Sequence, residues 1–169
     1  IEDDIYIENV TIKDIAEKFG TPTYVYSEKR IKENYRRLET AFNEAGILIN
    51  LFYAIKACNN PNVAKILTDL GAGIDAASPY EIELAELIGA RDVIFTGNNL
   101  SNDDIKYALS SNAIFNVDDS SILERIFSYG VPETISFRIN PGENPRYSTF
   151  LGFAGDQAKF GISEETAME

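Results

Sequence analysis

Lys56 is the residue of this chain whose type and position most favour covalent chemistry. It follows the apolar run 47–53 and stands between Ile55 and Ala57, so we expect its amine to be partly desolvated. Desolvation favours the neutral form of a lysine and frees the amine to attack a carbonyl carbon, which is the chemistry of Schiff-base formation. The alternative is an ordinary lysine that extends its head from a strand end into solvent. Spacing alone leaves both interpretations open.

Polar side chains also follow the other apolar runs. The main ones are Asp75, Ser78, Thr96, Asn98, Asn116, Asp118, Asp119, Arg138 and Asn140. Such groups hydrogen-bond or pair with a polar ligand when they meet at one edge of a sheet. A solvated rim would also be polar, so local hydrogen bonds or structural ion pairs remain an alternative for each of them.

The elements that must position these residues form a regular alternation. Apolar runs, typical of buried parallel strands, occupy 47–53, 74–77, 93–96, 113–117 and 134–139. Helical patterns with start signals such as Ser27, Pro61, Ser78 and Ser101 occupy 28–45, 62–70, 79–88, 102–109 and 120–129. An isolated strand is predicted at 23–26, outside this alternation.

The repeat of roughly 20 to 24 residues between strands predicts βα units around a parallel sheet. Such a sheet is either doubly wound or part of a (β/α)8 barrel, and the pattern leaves this choice open. A complete barrel takes about 250 residues, so a barrel in this chain would be partial. In both folds the ligand site lies beyond the carboxyl ends of the strands, where Lys56 and the other polar residues fall.

Composition excludes several classes of function. A net charge of -12 argues against nucleic-acid binding, and no apolar run approaches the length of a membrane span. Histidine is absent, so a Ser-His-Asp triad, a Cys-His pair and a histidine-metal site are excluded within this chain, and we expect no metal. Cys58 is the only cysteine and no signal sequence is visible, which favours a cytoplasmic location.

The sequence around Lys56 resembles a motif of a known family. Residues 52–61 are similar to the cofactor-lysine segment of fold-type III pyridoxal-phosphate-dependent decarboxylases, above all the diaminopimelate decarboxylases. Further similar segments lie in the family's order at 21–26, 71–78 with Glu81, 95–99, 116–118 followed by 123–126, 136–142 and 159–162. Decarboxylases of the ornithine/arginine or carboxynorspermidine type remain alternatives, as does a non-catalytic relative that acts as an interaction protein.

The resemblance implies a partial (β/α)8 TIM barrel of the alanine-racemase-like type, with about five βα units. Residues 1–169 would be the N-terminal portion of this barrel, and the rest of the barrel and a C-terminal β domain would lie outside the chain. It also implies a homodimer, with an amino acid as the small-molecule substrate. The expected reaction is the decarboxylation of meso-diaminopimelate to L-lysine, a step of lysine biosynthesis.

The resemblance further implies that Lys56 is catalytic and forms the Schiff base with pyridoxal 5'-phosphate. Asp75, Asn98 and Arg138 would also bind the cofactor. The ring-stacking histidine, the phosphate loop, the glutamate on the pyridine nitrogen and the catalytic cysteine of the family have no counterpart in this chain. We therefore expect the 169-residue chain to be inactive by itself.

Overall fold

The computed structural model describes residues 4–142 and 160–168 and contains a parallel sheet with a small N-terminal hairpin. The strands are β1 Tyr6–Ile7, β2 Val10–Thr11, β3 Phe52–Ala54, β4 Gly73–Ala76, β5 Val93–Phe95, β6 Ile114–Val117 and β7 Ile135–Phe137. The helices are α1 Ile12–Phe19, α2 Glu28–Glu44, α3 Pro61–Thr68, α4 Pro79–Leu87, α5 Asn102–Ser110, α6 Ser120–Tyr129 and α7 Glu164–Met168. Among the described helices, none is both long and apolar enough for a membrane span.

The helices begin where the sequence places side-chain acceptors. The hydroxyls of Ser27, Ser78 and Ser101 accept hydrogen bonds from backbone amides in the first turns of α2, α4 and α5. These bonds satisfy amides that the helix itself leaves unpaired. The five predicted helices are confirmed, because no boundary moves by more than two residues.

The strand order identifies the sheet as a barrel segment. The order is β3-β4-β5-β6-β7, and each strand is parallel to the next. Crossovers between parallel strands are right-handed, so a sheet that grows in one direction carries all its helices on one face. A doubly wound sheet would reverse the strand order and cover both faces. The predicted partial (β/α)8 barrel is therefore confirmed.

The face that α3 to α6 cover holds the hydrophobic core. Ile74, Phe95 and Phe115 are at most 2% exposed, and the two phenylalanine rings meet edge to face with centroids 5.7 Å apart. Gly97 closes this packing at the end of β5, because a Cβ there would collide with the Phe95 ring and the Leu100 side chain. Burial of this face supplies the main stabilisation of the fold.

The opposite face of the sheet carries no helix among the described elements. Ala54, Asp75 and Ile94 are paired across β3, β4 and β5 and project from this open face, since paired residues of parallel strands point the same way. Asn116 and Ser136 follow on β6 and β7 with the same alternation. All five are only partly buried, so the alternation of each strand separates an apolar side from a more polar one.

Two sequence predictions about strands are corrected. The strand predicted at 23–26 is wrong: the segment pairs with no described strand, and Tyr24 is 91% exposed. An extended segment becomes a strand only when a neighbour binds its backbone groups. Within the run 47–53 the strand begins only at Phe52. This residue pairs with Gly73, which is the first residue of β4. The hairpin and α1 were not predicted; each strand of the hairpin is only two residues long, whereas the eight-residue helix α1, capped by Thr11, was missed.

Candidate active site

Lys56 lies in a short 3-10 helix, Ile55–Ala57, at the carboxyl end of β3. Ile55 is fully buried in the core and anchors this turn, whereas Lys56 is exposed. The expected partial desolvation of Lys56 is therefore wrong for the described structure, because none of its elements packs over this end of β3. The arrangement leaves the amine accessible to a carbonyl compound from solution.

The backbone on both sides of Lys56 is held by local hydrogen bonds. Tyr53 donates its hydroxyl to the carbonyl oxygen of Cys58 over 3.1 Å, which closes the turn. The side-chain oxygen of Asn60 accepts from the amide of Asn62 over 2.9 Å and starts α3 after the turn. The lysine therefore stands on a fixed turn between two core elements, which is the support that a precise site requires.

Asp75 begins a chain of hydrogen bonds that runs along the open face. Thr96 donates its hydroxyl to Oδ1 of Asp75 over 2.9 Å, and Nδ2 of Asn116 donates to Oγ1 of Thr96 over 3.3 Å. Oγ of Ser136 lies 3.0 Å from Oδ1 of Asn116 and 3.3 Å from the carbonyl oxygen of Phe115, and it donates to one of these acceptors. We call Asp75, Thr96, Asn116 and Ser136 the polar ladder. It joins four neighbouring strands.

Arg138 follows β7 and contacts the next segment of the chain. Its guanidinium carbon lies 4.7 Å from the centroid of the Phe160 ring, which is cation–π geometry. A parallel bridge between Ile139 and Ile162 continues the sheet beyond β7. Gly161 fits there because its φ is +86° and a Cβ would lie 3.0 Å from the Arg138 carbonyl oxygen. Arg138 is thus fixed by both backbone and side chain.

Asp118 is the buried acidic residue of this region and is 9% exposed. Burial raises the pKa of Asp118, and a hydrogen bond from its own backbone amide and the positive charge of Arg138 oppose that rise only in part. The carboxylate is therefore held at the carboxyl end of β6 at a cost in stability near neutral pH. Its charge helps to set the field around Arg138.

The remaining candidates have simpler surroundings. Asn98 is exposed in the loop after β5, and the following Asn99 adopts a φ of +52°, a conformation that asparagine tolerates. Glu81 lies in the first turn of α4 and accepts a hydrogen bond from the amide of Ala77. Lys159 lies outside the described residues.

Of the four predicted site residues, Lys56, Asn98 and Arg138 follow β3, β5 and β7, and Asp75 lies within β4, one residue before its carboxyl end. No hydrogen bond or ion pair joins any two of them within the part of the chain that the structure describes. Thr96 and Asn116 were among the polar residues noted after the predicted strands but received no role in cofactor binding, and Ser136 was not among them. Their signal was a polar residue inside or directly after an apolar strand, on the same side of the strand's alternation as Asp75.

The described residues suit a cofactor that carries an aldehyde. The amine of Lys56 is exposed just after β3. The neighbouring strand β4, which carries the Asp75 carboxylate, pairs directly with β3. The register partner of Asp75 on β3 is Ala54, whose single methyl group leaves space between the two strands on the open face. A partial βα barrel with such a strand-end lysine has the architecture of an enzyme domain that binds a carbonyl cofactor.

Comparisons with known proteins agree with that class. The family model "Pyridoxal-dependent decarboxylase, pyridoxal binding domain" matches residues 28–169. A diaminopimelate decarboxylase of Methanothermobacter thermautotrophicus is 42% identical over 160 residues, covering 92% of this chain and 37% of the relative. The crystal structure of the diaminopimelate decarboxylase of Methanocaldococcus jannaschii matches with a TM-score of 0.85 at 33% identity, covering 98% of this chain and 41% of that one.

The chain belongs to the pyridoxal-dependent decarboxylase family, and its residues 28–169 match that family's pyridoxal binding domain. The resemblance seen in the sequence is thereby confirmed. A second crystal structure of the Methanocaldococcus jannaschii enzyme, in complex with L-lysine, matches with a TM-score of 0.84 at 34% identity. The chain spans about two fifths of the length of these relatives.

Proposed function

We propose that the protein containing this chain is a pyridoxal-phosphate-dependent amino-acid decarboxylase that converts meso-diaminopimelate to L-lysine. The observation that carries this proposal is the exposed amine of Lys56 at the end of β3, beside the strand that holds Asp75. Relatives named diaminopimelate decarboxylase, at 32–42% identity, support the choice of substrate.

In this proposal the residues of the chain hold and orient the ligands. When bound, pyridoxal phosphate supplies an electron sink for the electrons left as the α-carboxylate departs as CO2. Lys56 would hold the cofactor through a covalent bond from Nζ and would release it when the substrate amine takes its place. Asp75 would orient ligand groups beside Lys56.

The other two candidates would act at the rim of the site. The Arg138 guanidinium, fixed by Phe160, would bind an anionic group of the cofactor or the substrate. Asn98 would contribute a hydrogen bond from the loop after β5. A homodimer and a cytoplasmic location stay predictions, as does the division into this barrel portion, the rest of the barrel and a C-terminal β domain.

The decisive experiment is an absorbance spectrum of the chain mixed with pyridoxal phosphate, before and after borohydride reduction. We expect a visible Schiff-base band that reduction traps, with the adduct located on Lys56 by peptide mass spectrometry. Lys56→Ala should abolish both the band and the adduct. Lys65→Ala is the matched control, because Lys65 is an exposed lysine of α3 paired with Asp69 on the helix surface. It should behave like the wild type.

Activity measurements then distinguish the proposed function from its alternatives. The chain alone should bind the cofactor without releasing CO2, because the family's further site groups have no counterpart in it. The longer protein should release CO2 from meso-diaminopimelate and not from ornithine or arginine. A longer protein that binds no cofactor would overturn the decarboxylase proposal and favour an interaction protein.

A further inference from the structure

We propose that Thr96, Asn116 and Ser136 are positioning residues that orient the carboxylate of Asp75 in the site. The inference rests on the proposed function for its purpose, while the orientation itself can be tested without a cofactor. It is drawn from the polar ladder. Its four members lie in or directly after four consecutive strands, and each one contacts the member on the neighbouring strand.

The direction of the ladder follows from the chemistry of its first member. An ionised carboxylate only accepts hydrogen bonds, so the single hydroxyl hydrogen of Thr96 must point to Asp75. Oγ1 of Thr96 is then left as an acceptor, which requires Asn116 to present Nδ2 to it. Oδ1 of Asn116 therefore faces Ser136 and is available to its hydroxyl. The steps from Asn116 and from Thr96 both donate toward Asp75, and the Ser136 hydroxyl extends the ladder when it donates to Oδ1 of Asn116, the nearer of its two acceptors.

The ladder engages one oxygen of Asp75 and leaves the other available. Oδ1 accepts from Thr96, whereas Oδ2 has no hydrogen-bond partner among the described residues. Fixing Oδ1 restricts rotation of the carboxylate, so Oδ2 is held in one direction. The register partner of Asp75 is Ala54, two residues before Lys56, so the carboxylate lies on the strand next to the lysine.

Packing alone gives no reason for these polar residues. On the same face, the neighbouring positions Ile94 and Ile114 carry apolar side chains. Polar side chains in a partly buried row cost free energy unless their hydrogen bonds are made, and apolar residues would fill the same places without that requirement. A connected row that ends on a carboxylate beside the proposed cofactor lysine is the arrangement expected of groups that support a ligand-binding residue.

The test compares Thr96→Val with Thr96→Ser, in the wild type and in Asp75→Asn. Valine keeps the shape of threonine and removes the hydroxyl, whereas serine keeps the hydroxyl. We expect Thr96→Val to weaken pyridoxal phosphate binding, measured by titration of the Schiff-base band, by about tenfold. Thr96→Ser should restore it to within about twofold of the wild type. In Asp75→Asn, Thr96→Val should change the binding by less than about twofold, because the residue acts through Asp75.

A loss of the same size in both backgrounds would overturn the proposal, since Thr96 would then act on the fold and not through Asp75. Crystals grown without cofactor give an independent measurement. They should show one orientation of the Asp75 carboxylate in the wild type and a different or divided one in Thr96→Val. An unchanged orientation would overturn the inference. If neither the wild-type chain nor the longer protein formed a Schiff-base band, the proposed function would fall, and the crystal comparison would decide the orienting role alone.

Discussion

On the helix-covered face of the sheet, Ile74, Phe95 and Phe115 are almost completely buried and contact other apolar side chains. On the open face of the same strands, Asp75 and Thr96 are half-buried and contact each other through a hydrogen bond. Adjacent residues of one strand thus belong to different environments. The covered face supplies the stability of the domain, and the open face carries the groups proposed to bind ligands.

This division explains how one short strand serves both purposes. In β4, Ile74 points into the core and the next residue, Asp75, points to the open face. In β6, Phe115 and Asn116 repeat that arrangement. Substitutions on the two faces should therefore have separable effects, on unfolding for one face and on ligand binding for the other.

The largest effect is expected from an isoleucine-to-alanine substitution, which can be made on either face of the sheet. Ile74→Ala removes a side chain that is 0% exposed and should lower the free energy of unfolding by about 2–5 kcal/mol. Ile94→Ala makes the same change at a half-buried position of the open face and should cost about 1 kcal/mol. Urea unfolding of both variants measures the difference.

Equal losses of unfolding free energy in Ile74→Ala and Ile94→Ala would contradict the difference between the two faces, because they would mean that the open face is as fully covered as the other one. Unchanged binding of pyridoxal phosphate by folded Ile74→Ala would support the separation of roles, since the covered face would then contribute to stability alone.

A smaller effect is expected at Asp118, which is buried although it follows a strand end. Its pKa is raised in the folded state, so the native chain holds this proton more tightly than the unfolded chain does. Stability therefore falls as pH rises from the ordinary aspartate value of 3.8 through the raised folded value, and the full cost is present above both. Asp118→Asn should raise the melting temperature near neutral pH and have little effect below pH 3.8.

Thermal melts of the wild type and Asp118→Asn across that pH range test this prediction, with Glu124→Gln, an exposed position of α6, as the control. A lower melting temperature for Asp118→Asn at neutral pH would show that its attraction to Arg138 outweighs the burial cost.

The smallest effect is expected at the N-terminal hairpin, away from both faces. Glu8 accepts hydrogen bonds from the Ser27 hydroxyl over 2.6 Å and from the Lys29 amide over 3.0 Å, and these bonds lower the pKa of Glu8. A lowered pKa contributes stability above the ordinary value of 4.5, and that stability is lost as pH falls through the folded value. Glu8→Gln should slightly lower the melting temperature at neutral pH.

The change of stability with pH thus has the opposite sign for Glu8 and for Asp118. Together the two variants distinguish the effect of an exposed helix-start contact from that of a buried charge. Glu17→Gln, an exposed glutamate of α1, is the control and should leave the melting curve unchanged. A pH-independent loss in Glu8→Gln would mean that its charge plays no part.

Most of the fold was predictable because its signals are local. Ser27, Ser78 and Ser101 mark helix starts through hydrogen bonds within one turn, and apolar runs mark the strands. The segment at 23–26 has the same kind of local signal and is not a strand, since pairing depends on a neighbour that the segment itself does not specify.

The candidate site was predictable only in part. The motif around Lys56 identified the lysine, but its exposure depends on which elements pack over the end of β3. The polar ladder connects residues about 20 apart in the chain, which no local pattern brings together.

Local sequence patterns were enough to give the alternation of strands and helices, the family and the candidate lysine, because spacing, helix-start residues and short motifs are properties of neighbouring residues. Only the tertiary structure decided that the sheet grows in one direction and that its helices lie on one face. It also decided that Asp75, Thr96, Asn116 and Ser136 meet on the other face. The physical reason is that strand order and register are set by packing between distant segments, and side-chain contacts across a sheet exist only once that register is made.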